Sequence, residues 1–224
     1  MQLVKIASLN SNNFNSALKY LAQSDLDLAQ ILETLGNPPR WQREPGFPTL
    51  LQIILEQQVS LAAAKAVYQR LCNLVQPLTP ENFLSLDEIQ LKTIGFSRQK
   101  ISYGRALSEA IINQQINLDW LADQEETIIR TQLKQIKGIG DWTIDNYLLM
   151  ALQHWDVFPK GDLAVAIAVQ KIKNLPTRPT PIQLELIAEA WRPWRAIATQ
   201  ILWHYYLNSK STKLLHLSPR PSLQ

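Results

Sequence analysis

Apolar residues recur at intervals of three and four along nearly the whole chain, and segments that alternate between apolar and polar residues are scarce. Such spacing places apolar side chains on one face of an α-helix, whereas strict alternation is typical of a strand. Pro, Gly and Asn interrupt the pattern at short intervals, where helices end. The pattern predicts roughly ten to twelve helices, over residues 13–22, 25–35, 50–55, 61–75, 80–85, 87–93, 98–113, 123–136, 141–153, 163–173, 182–190 and 193–208.

The predicted architecture is therefore all-α, with the short connections usual between helices. Apolar residues make up 46% of the 224 residues and charged residues 18%, which is the composition of a globular protein. One cysteine excludes a disulfide framework and any zinc or iron–sulfur site built from several cysteines. The net charge of +3 is compatible with a nucleic-acid partner but too small to indicate one. No segment is long enough to span a membrane and the N-terminus lacks a signal-peptide run, so we expect a cytoplasmic protein without a membrane partner.

Two glycines that flank one apolar residue, Gly138-Ile139-Gly140, lie between the helices predicted at 123–136 and 141–153. Glycines permit positive φ and a close backbone approach by a large partner. The amides of such a turn open onto the N-terminus of the next helix and form an anion site. That site suits a nucleic-acid phosphate and carries no information about base sequence. From the residues alone, Gly138 is equally well explained as the ordinary glycine that ends a helix.

An isolated acid, Asp162, begins an apolar helical run about twenty residues after this turn. Gly161-Asp162 before such a run is an ordinary N-cap arrangement. A helix N-terminus also holds a carboxylate ionised and oriented, so a structural role and a chemical role are compatible. The chain has seven tryptophans, and burial in the core is the ordinary explanation for most of them.

The unit from Leu133 to Gly140, with Ile136 and Ile139 on the same apolar face, looks like a helix-hairpin-helix motif, which grips a DNA backbone through main-chain amides. Together with the later segment Pro159-Lys160-Gly161-Asp162, this unit resembles the superfamily of DNA base-excision glycosylases that is named for the hairpin motif and for a Gly/Pro-rich loop followed by an aspartate. Four further segments, in order along residues 25–208, resemble its AlkA-type 3-methyladenine DNA glycosylase II branch. They are QQVSLAAA at 57–64, IGFSRQK at 94–100, GDWT at 140–143 and WRPWR at 191–195.

The resemblance implies a helix-hairpin-helix glycosylase fold of about 10–12 helices, in two packed helical subdomains with a cleft between them. We expect one compact domain over residues 1–208, with the hairpin at 133–143, and a loose C-terminal tail over 209–224. Too few residues precede Pro48 for the extra N-terminal β domain of longer members, so only two helices are expected there. The resemblance also suggests a monomer.

The resemblance further implies a role for individual residues. In this superfamily the aspartate at the position of Asp162 is the catalytic residue. Gln57 and Gln58 lie where the family places a wedge that fills the gap left by the flipped base. The expected base pocket consists of Trp142, Trp191, Trp194 and Tyr147. The expected contacts to the DNA backbone are Lys137, Gly138, Ile139, Gly140 and Thr143.

Three positions distinguish this chain within the family. Lyase-type members carry, at the position of Trp142, a lysine that attacks the sugar, and a tryptophan cannot form a Schiff base. Asn146 stands where an aromatic residue is common, and Ala166-Ile167 where an arginine is common. The last two differences bear on the pocket and its substrate range. No cofactor and no catalytic metal are expected, although the hairpin carbonyls could hold a monovalent cation, as they do in family members.

These residues predict a monofunctional DNA glycosylase of base excision repair. It would bind double-stranded DNA that contains alkylated bases and release alkylated purines, 3-methyladenine first and 7-methylguanine as a second candidate. An alkylated purine carries a positive charge, and the aromatic rings of a pocket attract that charge. The charge also makes the base a good leaving group, so no second acid is needed to protonate it. One alternative is a glycosylase for deaminated or oxidised bases, which would need a leaving-group donor that the sequence does not display. Another is a non-catalytic helix-hairpin-helix module that only binds DNA phosphates.

Overall fold

A computed structural model describes residues 11–211 of the chain, and their side chains from 13 to 209. Within these residues the chain forms thirteen α-helices, a 3-10 helix at Glu189–Trp191 and no strand, which confirms the predicted all-α class. The helices are α1 Ser11–Ser24, α2 Leu26–Leu35, α3 Phe47–Glu56, α4 Leu61–Leu74, α5 Pro80–Leu84, α6 Glu88–Thr93, α7 Arg98–Ile112, α8 Leu118–Ala122, α9 Glu126–Leu133, α10 Asp141–Met150, α11 Leu163–Ile172, α12 Pro181–Ala188 and α13 Arg195–Ser211.

The count within the described residues is one more than the upper end of the expected range, because the periodicity does not predict α8. This helix has five residues, too few to display a helical repeat. Its start is nevertheless encoded locally, since the side chain of Asn117 accepts a hydrogen bond from the Trp120 amide at 2.9 Å. An asparagine in this position is a good N-cap.

Several helix ends differ from those predicted by two or more residues, and three of these helices show the reasons. α3 begins at Phe47 instead of residue 50, because Pro48 is favourable in a first helical turn. α9 ends at Leu133 instead of residue 136, because the chain then tightens into turns such as Ile136 N to Leu133 O at 3.1 Å. α13 begins two residues later than predicted and continues to Ser211, past the tail boundary expected at 209. The remaining tail, 212–224, lies outside the described residues.

The described chain divides into two compact units. The first unit contains residues 41–159 and is built around α3, which packs against α4, α7 and α10. Leu50, Ile53 and Ile54 of α3 have no exposed surface. α10 is also buried along its length, from Thr143 to Met150. The hairpin between α9 and α10 is therefore anchored to the core of this unit through α10.

The second unit contains residues 11–40 and 160–211, and its centre is the packing of α13 against α11, α2 and α1. Lys173 follows α11 and bridges the carboxylates of Asp25 and Asp27 at 2.8 and 3.1 Å. Burial of Asp25 opposes its ionisation, but hydrogen bonds from Lys173 and Trp191 outweigh burial and lower the pKa of the Asp25 carboxyl. This cluster fixes the C-terminal end of α11 while its N-terminal end carries Asp162. No helix in residues 11–211 has the length and apolar character to cross a membrane.

Candidate active site and nucleic-acid interface

The hairpin of the first unit joins α9 to α10 through residues 134–140. Leu133, Ile136 and Ile139 are buried. Their side chains pack inward, so the backbone of the turn lies toward the surface. Gly140 is the N-cap of α10 and has no side chain to occupy the amides of the first helical turn. Helix geometry leaves such amides without intrahelical acceptors. The hairpin can therefore present backbone donors to an anion such as a phosphate.

The two hairpin positions are occupied by glycine for different physical reasons. Gly138 has φ +91°, and a Cβ added there would overlap the ring of Tyr103. The fold itself therefore requires a glycine at 138. Gly140 has an extended backbone, φ −105° and ψ −177°, and a Cβ there would meet no atom within 4 Å. Among residues 11–211 no contact requires a glycine at 140, so its small size is best explained by a partner that approaches from outside.

A groove of about 490 Å³ runs along this hairpin. Its walls are residues 134–140, the first turns of α7, and Gln57 and Gln58 at the end of α3. Lys134 and Lys137 are exposed beside it, and Lys100 is half-buried within it. A groove that combines open backbone amides with lysine side chains suits a polyanion. Lys137, Gly138, Ile139 and Gly140 therefore lie together as the sequence predicted, while their contact with DNA stays a prediction.

Two sequence-predicted residues of this region have side chains that are already engaged. Nε2 of Gln57 donates to the carbonyl of Gly138 and to Oγ1 of Thr143, each at 2.9 Å. Thr143 as a whole residue is 1% exposed, and its contact with DNA stays a prediction. Gln58, in contrast, is exposed and has φ +57°. Of the two predicted wedge residues, Gln58 is exposed, whereas Gln57 is half-buried and bonded to the hairpin.

Arg130 of α9 forms close ion pairs with two acids and a longer one, at 3.9 Å, with Asp141. Its guanidinium lies 2.6 Å from Asp145 of α10 and 2.8 Å from Glu126. Burial raises the pKa of Asp145 to about 6, against the opposing effect of Arg130. His154 and Arg130 approach Glu126 at 3.8 and 2.8 Å and lower its pKa to about 2. This cluster joins α9 to α10 and fixes the angle at which the hairpin leaves the core.

Replacing Arg130 with Met is expected to lower the free energy of unfolding by about 3 kcal/mol at pH 7, because the buried Asp145 carboxyl then either stays charged without a partner or must take up a proton. The loss should be smaller at pH 5. The pKa of Asp145 is raised on folding, so the stability associated with its neutral form is present at low pH and is lost as pH rises through about 6. Urea unfolding at both pH values measures the effect.

Two further variants complete this test. Asp145→Asn should recover most of the stability in the Arg130→Met background, since no buried charge remains. Lys134→Met removes the exposed ion pair with Asp141 and should change stability by less than about 0.5 kcal/mol. Equal losses for Arg130→Met and Lys134→Met would contradict the assignment of a buried pair.

Asp162, in the second unit, is the N-cap of α11 and only 7% exposed. Its Oδ1 accepts a hydrogen bond from the Val165 amide at 2.9 Å and another from the indole of Trp203 at 3.3 Å. A helix N-terminus is a favourable place for a negative charge. The carboxylate is thus oriented by two donors that act on the same oxygen atom. Sequence reasoning missed Trp203, because nothing in its spacing relates α13 to Asp162.

The structure divides the four aromatic residues predicted to line a base pocket. Trp191 has no exposed surface and donates from its indole to Asp25 at 2.8 Å. Tyr147 is 1% exposed, and its hydroxyl accepts the Gly46 amide at 3.0 Å. A base cannot stack on a ring without accessible surface, so the pocket roles predicted for Trp191 and Tyr147 are wrong, and both are core residues. Trp142 and Trp194 are half-buried, and their pocket roles stay predictions.

Asn146, which departs from the family pattern, is buried one turn after Trp142. Its Nδ2 donates to the Trp142 carbonyl at 2.7 Å. The amide therefore bonds back to its own helix, where a larger aromatic ring would need space of its own.

Residues 11–211 contain no group of three or more His, Cys, Asp or Glu side chains that could hold a metal ion. At the hairpin, the Gly138 carbonyl already accepts the Gln57 amide, although a carbonyl oxygen has a second lone pair. The monovalent cation at the hairpin carbonyls therefore stays a prediction.

Comparison with known proteins supports the resemblance to 3-methyladenine DNA glycosylases across most of the chain. A DNA-3-methyladenine glycosylase 1 from Schizosaccharomyces pombe is 31% identical over 193 residues, which are 82% of this chain and 84% of that protein. The solved structure of a Schizosaccharomyces pombe 3-methyladenine DNA glycosylase in complex with abasic DNA superposes with a TM-score of 0.79. That match has 27% identity and covers 84% of this chain and 95% of the other.

A DNA-3-methyladenine glycosidase from Bacillus halodurans superposes with a TM-score of 0.69 at 27% identity, over 87% of this chain and 91% of the other. Residues 51–193 match a family model described as HhH-GPD superfamily base excision DNA repair protein. That segment includes α3 from Leu51 onward, the hairpin and Asp162. The match extends over more than half of the sequence, and the chain therefore belongs to the HhH-GPD superfamily of base excision DNA repair proteins.

Proposed function

We propose that the chain is a monofunctional DNA glycosylase that releases alkylated purines from double-stranded DNA. Membership of the superfamily and relatives named 3-methyladenine glycosylases support this function. The observation that carries it is the Asp162 carboxylate, held at the N-terminus of α11 by the Val165 amide and the Trp203 indole. The proposed enzyme acts as a monomer, which light scattering of the purified protein tests.

In this proposal the hairpin binds the DNA backbone. Phosphates of one strand would bind the amides beside Gly140, and Lys137 would add a mobile positive charge. These contacts do not read bases, so they suit an enzyme that must search any sequence for damage. The glycosidic carbon is shielded inside a duplex, and the damaged nucleotide must therefore leave the stack before reaction.

Selection of the base rests on its charge. Alkylation at N3 or N7 makes a purine cationic, and the face of a tryptophan attracts a cation by roughly 1–2 kcal/mol when the ring is well placed. Trp142 is half-buried, so part of its surface is accessible. We assign it to this role, which favours alkylated purines over uncharged bases without a hydrogen-bond code.

Hydrolysis then needs only one carboxylate. As the bond between C1′ and the purine nitrogen breaks, the electron pair neutralises the cationic base and positive charge develops on the sugar. The Asp162 carboxylate stabilises that charge and orients the water whose oxygen bonds to C1′. The proton lost by this water passes to Asp162 or to solvent. The products are a free neutral base and an abasic site.

The product distinguishes hydrolysis from a lyase reaction. A lyase needs an amine that forms a Schiff base with the sugar, and Trp142 stands where lyase-type members carry that lysine. We therefore expect DNA strands that stay intact after the reaction and break only when alkali is added.

The test is to incubate methylated duplex DNA with the protein and identify the released bases by chromatography. We expect 3-methyladenine and, more slowly, 7-methylguanine, with strand breaks only after alkali. Duplexes that contain hypoxanthine or 8-oxoguanine form the control panel. Faster release from that panel would reassign the substrate, and DNA binding without any released base would reduce the chain to a binding module.

Trp203→Phe is expected to reduce the single-turnover rate of base release by about tenfold, because a hydrogen bond to a charged group contributes roughly 1.5–3 kcal/mol. Phenylalanine keeps most of the packing and removes only the indole donor to Asp162. The Kd for damaged duplex should stay within about threefold, since Trp203 does not touch DNA in this proposal. Trp120→Phe, at a 52% exposed tryptophan, is the matched control, and an equal effect there would rule out a specific role for Trp203.

A further inference from the structure

We propose that Gln57 is a positioning residue that locks the hairpin to the end of α3 and sets the place of Gln58. We call Gln57, the Gly138 carbonyl and the Thr143 hydroxyl the latch, and residues 57–60 the wedge turn. The proposal rests on the proposed function only in taking DNA as the partner. It replaces the prediction that Gln57 itself enters the DNA.

The latch uses the full donor capacity of one side-chain amide. An amide nitrogen carries two hydrogens, and Gln57 directs them to Gly138 O and Thr143 Oγ1, each at 2.9 Å. These acceptors lie on opposite sides of the hairpin tip, one in the turn and one in the first turn of α10. Gln57 could donate to a DNA base only by giving up one of these bonds. Its side chain is therefore committed to the hairpin.

The position of Gln57 in the chain links this bond to the wedge turn. Gln57 is the C-cap of α3, and its amide bonds to the Ile54 carbonyl at 3.3 Å. The next residue, Gln58, has φ +57° and an exposed side chain. A residue in the left-handed region reverses the chain sharply. The direction of the Gln58 side chain therefore follows from where the latch holds Gln57.

The beginning of α7 supports the same arrangement from a second direction. Lys100 donates from Nζ to the carbonyl of Leu55 at the end of α3, and burial lowers its pKa. The ring of Tyr103 lies directly beside Gly138. The end of α3, the start of α7 and the hairpin thus share one set of contacts, and all three line the groove of about 490 Å³.

This connection has a functional consequence. An enzyme that grips phosphates with one turn and fills the gap of an extruded base with another needs a fixed distance between the two turns. The latch is the direct side-chain bond that sets this distance. Its loss should loosen the hairpin amides and weaken binding to any duplex, damaged or not.

The experiment measures the Kd for an undamaged duplex by fluorescence anisotropy at one salt concentration, with urea unfolding to establish that each variant is folded. Gln57→Leu, which keeps the volume and removes both donors, is expected to weaken binding about tenfold. Gln124→Leu is the matched control, because Gln124 also donates to a backbone carbonyl but outside the groove, and should change Kd less than twofold. Gln58→Leu should slow base release, because it changes the wedge itself.

A double-mutant cycle measures whether the effects of Gln57 and Thr143 on the Kd depend on each other, which a general loss of stability would not produce. Thr143→Val removes one acceptor without altering α3 and should weaken binding about threefold. In combination with Gln57→Leu it should add nothing, because the two residues share a hydrogen bond. If Gln57→Leu does not fold, the loss in Thr143→Val decides the matter on its own.

Two results would overturn the latch: unchanged binding in both Gln57→Leu and Thr143→Val, or losses from these two variants that simply add. Failure of the proposed function appears differently. In that case the unaltered chain either does not bind duplex DNA or binds it without releasing alkylated bases.

Discussion

Asp162→Asn is expected to slow base release from methylated duplex by at least about 10³-fold, while the Kd for the damaged duplex stays within about threefold. Asparagine has the same shape as aspartate, and its side-chain oxygen can still accept the Val165 amide and the Trp203 indole. The cap of α11 therefore persists and the fold is kept. Only the negative charge is lost, and in the proposed reaction that charge stabilises the sugar cation.

Single-turnover kinetics with enzyme in excess separate this chemical step from binding. Asp87→Asn is the matched control, because Asp87 is also an N-cap aspartate, in α6, and accepts the Gln90 amide at 2.7 Å. It should release base at the normal rate. If Asp162→Asn retained more than about a tenth of the activity, Asp162 would have to be removed from the mechanism.

The second large effect is expected at the hairpin, where Gly138→Ala and Gly140→Ala should behave differently. Gly138→Ala should lower the free energy of unfolding by about 3 kcal/mol and weaken DNA binding by about a hundredfold. An alanine at φ +91° is strained, and its Cβ would overlap the Tyr103 ring, so the hairpin must distort. Urea unfolding and anisotropy with an undamaged duplex measure the two losses.

Gly140→Ala should lower the free energy of unfolding by no more than about 1 kcal/mol, the cost of alanine at an N-cap, because the backbone there is extended and the added methyl meets nothing within 4 Å. Binding to DNA should still fall about tenfold, since the methyl occupies the space through which a phosphate approaches the amides. Equal losses of stability in the two variants would show that the hairpin glycines share one role. Full DNA affinity in Gly140→Ala would place the phosphates elsewhere on the protein.

The same contrast explains which parts of the hairpin were predictable. The sequence pattern identified the turn, because its apolar residues and glycines lie within a few positions of one another. It did not identify why Gly138 must be glycine, since Tyr103 comes from a different helix. The predicted end of the preceding helix was also too late by three residues, because tight turns begin while the apolar spacing still continues.

The candidate site shows the same limit for aromatic and amide side chains. Trp191 and Tyr147 looked suitable for a base pocket, yet partners distant in the sequence, Asp25 and Gly46, hold them in the cores of their units. Gln57 looked like a wedge, but its acceptors are 81 and 86 residues away. No local pattern reports whether a side chain will find such a partner.

The sequence by itself determined that the described chain is helical, where most helices begin, that a two-glycine turn precedes α10 and that Asp162 caps α11. These features depend on residues no more than about four positions apart, whose backbone bonds form within one helical turn. Only the tertiary structure decided which tryptophans are accessible, that Trp203 orients Asp162 and that Gln57 holds the hairpin. Those features depend on contacts between residues far apart in the chain, which exist only once the helices have packed.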